Sequence, residues 1–268
     1  MTIRTVSDIR SKLSELSRTK EQALRDDETE FQSAKRALGM FDCAQKDAIE
    51  SSKRLFKSQL DTAYSSLASF VFDRLGPNEY VPRDMHDSSE QWASIQERVD
   101  AASLQVSNDL TLENSWNSDG SKAYRKHVER QQLAMLDLSA LAGANATLTD
   151  KIAVLHEGIF SSIYDVLDRA NRDIKTNPNY PSSVRTITRD QMIRGNLVVY
   201  PRTQVATSGI NWARSVARPY TELQGRNITE ANSLVAALEE VAESLKVISL
   251  QTREWPRPVG GLNIHMAV

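Results

Sequence analysis

From Thr5 to about Leu75 apolar side chains recur at steps of three and four: Val6, Ile9, Leu13 and Leu16, then Phe31, Ala34, Leu38 and Phe41, then Ala48, Leu55, Leu60, Ala63, Leu67 and Phe70. Such spacing puts one stripe on a helix of 3.6 residues per turn and is incompatible with the two-residue period of a strand. Charges of both signs occupy the other faces, as on a solvated helix surface. Read as one helix, the segment is roughly 100 Å long. Its weak point is Gly39, which costs about 1 kcal/mol relative to alanine in a helix. Asp42 followed by Gln45 supplies a cap for a restart. With only 10 Gly and 8 Pro in 268 residues, turns are scarce. The chain therefore reads as all-α: an elongated bundle of long antiparallel helices.

Four segments follow from the punctuation. Residues 1–76 are expected to be a long N-terminal helix, closed by the run GPNEYVPRD, in which Gly76 suits a C-terminal cap and Pro77 and Pro82 resist continuation. Asp87 with Glu90 makes a capping-box pattern ahead of Trp92, Ile95, Val99, Ala102, Val106 and Leu110. After the polar tract NSWNSDGS a third pattern runs from Tyr124 to Ala170 and stops at TNPNYPSS, so residues 87–175 read as a helical hairpin with an unusually long second arm. Residues 184–252 are less regular. Within them NLVVYPRTQV has an extended character that Pro201 opposes, and Asn227 with Glu230 opens a last helix expected to pack on the bundle. Residues 253–268, with two Pro and two Gly, read as a flexible tail.

The formal charge of -2 and pI near 6.1 give no bulk attraction to nucleic acid or to an anionic membrane. One local exception is the stretch from Arg169 to Arg226, where nine Arg and one Lys face three acids. Without interleaved aromatics it reads first as a solvated surface and second as a site for an acidic partner. Cys43 is the lone cysteine, so no internal disulfide forms. No stretch approaches the ~20 apolar residues of a membrane span, and no stable membrane insertion is expected. The opening MTIRTVSDIRSKLSEL lacks the apolar core of a secretory leader, so the expectation is a cytoplasmic protein or leaderless export.

Trp116 stands in the turn between the two arms of the hairpin, where polar residues and Gly normally suffice. Its setting is WNSDGSKAY: Trp116, Ser118, Gly120, then Ala123 and Tyr124 on the first turn of the next helix. This resembles the WxG turn of the small helical-hairpin substrates of bacterial type VII (ESX) secretion systems. The resemblance covers residues 87–171, and Ser118 stands where that family usually has Gly. Its second signal, YxxxD/E late in the second helix, has a counterpart in Tyr164 and Asp168, which four-residue spacing puts on one face. Tyr80 and Asp84 match the same pattern but span Pro82. Along a straight helix Trp116 and Tyr164 are roughly 60 to 70 Å apart, so one hairpin cannot unite the two signals. The resemblance thus implies a second chain or self-association.

Chemistry-bearing motifs are otherwise missing. His86, His127, His156 and His265 have no metal-ligand spacing, and the sequence lacks HExxH, GxGxxG, a P-loop and GxSxG. No catalytic, metal or cofactor residue is assigned. The expectation is a non-enzymatic helical protein associated with type VII secretion, engaging the secretion machinery or a helical partner chain. A self-assembling helical scaffold is the alternative. A pore-forming toxin with a tongue at Asn196–Tyr200 is a weaker third reading.

Overall fold

The structure, a computed structural model, describes residues 4–37, 43–109, 118–177, 200–220 and 222. Among these residues there is no strand. The helices are α1 (Val6–Ala37), α2 (Cys43–Leu75), α3 (Val81–Asp109), α4 (Asp119–Thr176) and a run over residues 201–220, termed α5, with a 3-10 turn at Gly76–Asn78. The all-α reading holds, and α4 has the length that its periodicity predicts. The chain divides into two compact units, Met1–Glu79 with Glu157–Gly225, and Tyr80–His156 with Arg226–Val268. α4 belongs to both, changing unit after His156.

In the first unit the stripe expected on one N-terminal helix is shared between two. The 1–76 helix is therefore corrected to α1 and α2, with the interval 38–42, Gly39 included, outside the described residues. Three contacts fix their antiparallel course: the Tyr64 hydroxyl donates to the Leu13 carbonyl (3.4 Å), Lys20 pairs with Asp61 (2.7 Å) and Lys53 with Glu28 (2.6 Å). Doubling back lets the two halves of the stripe cover each other, whereas a single rod would leave both wet. The end of α4 runs parallel to α1, as Lys12–Asp168 (2.9 Å) and a buried Thr19–Asn171 hydrogen bond (2.5 Å) require. α5 returns antiparallel to α4, with Arg169 over the Trp212 ring at 5.3 Å. The result is a four-helix core in which α1 contributes Ile9, Leu13 and Leu16, α2 Leu60 and Leu67, α4 Phe160, Ile163 and Leu167, and α5 Ala206, Ile210, Ala213 and Ala217.

The small residues on α5 set how closely it approaches. A Cβ on Gly209 would lie 2.5 Å from Ile174 Cγ1, inside a side chain that is itself 1% exposed. α1 is opened by a reciprocal cap: the Thr5 amide donates to Asp8 Oδ2 (2.8 Å) and the Asp8 amide to Thr5 Oγ1 (3.2 Å). The Thr5 amide, then its hydroxyl, holds the Asp8 carboxyl below its ordinary pKa.

The second unit contains the antiparallel pair of α3 and the first part of α4. His86 Nδ1 lies 3.2 Å from Asp150 Oδ1, and Ser89 Oγ donates to the Ala146 carbonyl (2.8 Å). α3 starts earlier than the Asp87/Glu90 pattern suggests. Only the Gly76–Asn78 turn and the next two residues separate it from α2, and Pro82 sits in its first turn, where a missing N–H costs nothing. The buried positions of α4 here are small or polar, Ser121, Ser139, Ala142, Asn145 and Ala153, with His156 fully enclosed. Leu104, Leu133 and Leu136 remain 65, 51 and 56% exposed.

Gly209→Ala should destabilise the protein by about 1–3 kcal/mol through overpacking against Ile174. Gly158→Ala, on α4 with nothing within 4 Å of the added carbon, should stabilise it by about 0.5–1 kcal/mol; urea midpoints of both variants decide. Burial pushes the His156 pKa below its ordinary 6.5. The unfolded chain then binds that proton before the folded one does, so this contribution to stability is complete above about pH 6.5 and is lost as pH falls below it. The drop in melting temperature between pH 7.5 and 5.5 should be smaller for His156→Gln than for the wild type.

Candidate functional site

Trp116 lies outside the described residues, in the connection between α3 and α4. Ser118 is the N-cap of α4. Its Oγ accepts from the Ser121 amide (3.2 Å), while the Ser118 amide donates to Ser121 Oγ (3.1 Å), a two-serine form of the capping box. The Ser at the expected Gly position thus has a local task, satisfying first-turn amides that a glycine leaves open. Gly120 follows with ordinary space around it, its added Cβ meeting only Ser118 Oγ at 3.6 Å. Ala123 is exposed and Tyr124 half-buried.

Tyr164 and Asp168 share a face of α4, as spacing predicts, and that face is turned to α1. The Tyr164 ring packs on the core beneath Arg4, 4.0 Å from the ring centroid. Asp168 pairs with Lys12 (2.9 Å) and Arg172 (3.2 Å). Its hydrogen bond with Lys12, followed by that of Glu15, pushes the Lys12 pKa up. Both residues therefore hold the N-terminal turns of α1 against α4. The described arginines of the Arg-rich stretch are mostly engaged in the same way: Arg169 with Asp173, Arg172 with Asp168, Arg218 with Glu222, and Arg202 in the interior. Arg214 is exposed, while Arg185, Arg189, Arg194 and Arg226 lie outside the described residues.

Arg202 belongs to a cluster that periodicity does not announce. Tyr200 precedes α5 with a left-handed backbone (φ 63), and Pro201 takes the first helical position. The next two amides point at Asp27 of α1: Thr203 N–H donates to Oδ2 at 2.7 Å, with the Thr203 hydroxyl at 2.7 Å, and Arg202 N–H approaches Oδ1 at 3.4 Å. The carboxylate of one helix thereby caps another across 175 residues of chain. Arg202 Nη1 reaches Asp27 Oδ1 and Glu30 Oε2, both at 3.3 Å, and its side chain is 1% exposed. Burial raises the Asp27 pKa, and the bonds from Thr203 and Arg202 act against that rise. At the rim, burial also opposes ionisation of Glu28, but Lys53, Gln32 and the Tyr200 hydroxyl outweigh it and hold its pKa low. Burial, then the Glu28 charge, drives the Tyr200 hydroxyl pKa upward. One signal of this cluster is present in the sequence. Between Leu16 and Phe31 the α1 stripe thins to Ala23 and Leu24, and Asp27 and Glu30 fall where larger apolar residues would continue it.

No known family, curated protein or solved structure matches the chain. Among the described residues no group of three His, Cys, Asp or Glu converges as a metal would need, and no helix is long and apolar enough to cross a membrane. Within the first unit, α1 and α5 are fastened to each other by the Asp27–Arg202 lock.

Removing one side of that lock should be costly. Arg202→Ala leaves two interior carboxylates without their cation and is expected to lose about 3–5 kcal/mol of stability. A urea midpoint within 0.5 kcal/mol of wild type at unchanged slope would refute it.

Proposed function

We propose that the chain is a non-enzymatic helical protein associated with type VII secretion, an exported effector or structural component, acting through protein–protein contacts. The observation that carries this reading is the antiparallel pairing of α3 with the start of α4, pinned by His86–Asp150 and Ser89–Ala146. It supports the helical hairpin that the resemblance requires, with Trp116 in the connecting sequence and Ser118, Gly120, Ala123 and Tyr124 opening the second arm. Tyr164 and Asp168, the counterpart of the family's second signal, lie against Arg4 and Lys12 of the N-terminal segment and in this reading serve docking from there. A secreted location and the machinery as partner are parts of the same proposal. A self-assembling scaffold is the second reading, favoured by the exposed side chains of Leu104, Leu133, Leu136 and Leu138 on the α3–α4 pair.

The test is export from a host carrying a type VII system. Wild type should reach the culture medium, and Trp116→Ala should be retained in the cell with an unchanged helical circular dichroism spectrum. Equal export of both forms ends the secretion reading. A wild type that stays inside and sediments as an oligomer favours the scaffold.

A further inference from the structure

The outer side of the α1–α2 pair carries two adjoining recesses of about 620 and 400 Å³ that share Tyr64 as a common wall. Their rims hold Arg18, Lys20 and Arg25 from α1 and Arg54 and Lys57 from α2, against only Glu21 and Asp61. Those two acids are spoken for by Lys20, at 3.5 and 2.7 Å. What remains is a surplus of positive charge. Arg18, Arg54 and Lys57 make no ion pair among the described residues, and Arg25 has only the Gln22 amide oxygen at 3.0 Å. All four are exposed. A folded surface usually disperses such cations among acids, as elsewhere on α1 where Arg10 meets Glu79 and Lys12 meets Asp168.

The shape narrows the ligand. Arg18 and Arg25 are two helical turns apart, about 10 Å, and the recesses are open along their length, so one small ion engages only part of the set. The walls between the cations are hydroxyls, Ser17, Ser58 and Thr62, which suit polar chains and disfavour an apolar helix. Among the described residues Tyr64 is the one aromatic lining them, and Lys20 already covers its ring at 5.1 Å. A nucleic-acid strand thus finds no stacking platform. Arginine forks and a lysine over hydroxyl walls match carboxylates carried on a peptide backbone.

We infer that the α1–α2 groove is a docking site for an acidic segment of a partner protein, at least three residues long. Its cations come from α1 and α2 rather than from the Arg-rich stretch that the sequence singles out, and it does not depend on the export route. The experiment uses the full chain and a fluorescent hexaglutamate peptide, followed by anisotropy at 20 and 150 mM salt. The wild type should bind at low salt and more weakly at high salt. The triple substitution Arg18→Gln, Arg54→Gln, Lys57→Gln should weaken binding by about tenfold with an unchanged melting temperature. Absence of binding at low salt, equal binding by the triple variant, or displacement of the peptide by equimolar hexauridylate or inorganic phosphate would each overturn the assignment.

Discussion

The first unit depends on a carboxylate in a place where a carboxylate is costly. Asp27 is enclosed among helices, where an isolated charge loses its hydration and gains nothing in return. It is tolerated because the start of α5 brings two amides, a hydroxyl and a guanidinium to its two oxygens. The helix end likewise needs the acid, since its leading N–H groups have no partner within α5. Neither side is satisfied alone. The pairing therefore selects one register for α5 on α1.

Around that fastening the other contacts fall into place. Phe31 and Tyr200 lie 6.0 Å apart by ring centroids, so the residue that turns the chain into α5 is seated on the end of α1. At the opposite end, Arg4, Lys12 and Glu15 hold Tyr164, Asp168 and Asn171. The core lies between these two polar clamps. Its geometry gives α1 three neighbours and leaves the groove beside Tyr64 as the side on which α1 and α2 face solvent together.

Helical class was legible because periodicity extends over many turns, and the span of α4 was legible because prolines at 178 and 181 and the tract around Gly120 bracket it. The fold-back of the first 75 residues was not. A continuous stripe on one rod and the same stripe divided between two helices give identical spacing, and only Gly39 and the Asp42/Gln45 pattern hinted at the second. Pro82 misled in the other direction, since proline ends a helix from within yet begins one without penalty. The Asp27–Arg202 cluster was hidden for a different reason. Acids on a helix read as solvent-facing unless their phase is compared with that of the apolar residues, and their partner stands 175 positions away. Tyr164 and Asp168 were correctly placed on one face, but spacing alone could not reveal that α1 covers it.

The separation of α1 and α5 in the chain has a bearing on synthesis. As the polypeptide leaves the ribosome, α1 and α2 can meet once residue 75 has emerged, yet their shared apolar side waits for α4 and then for α5, which ends about 145 residues later. At ordinary elongation rates of about 5–20 residues per second that interval is roughly 7–30 s. For that time Leu13, Leu16, Leu60 and Leu67 are a sticky half-bundle, so the nascent chain passes through a window in which chaperone capture competes with self-association.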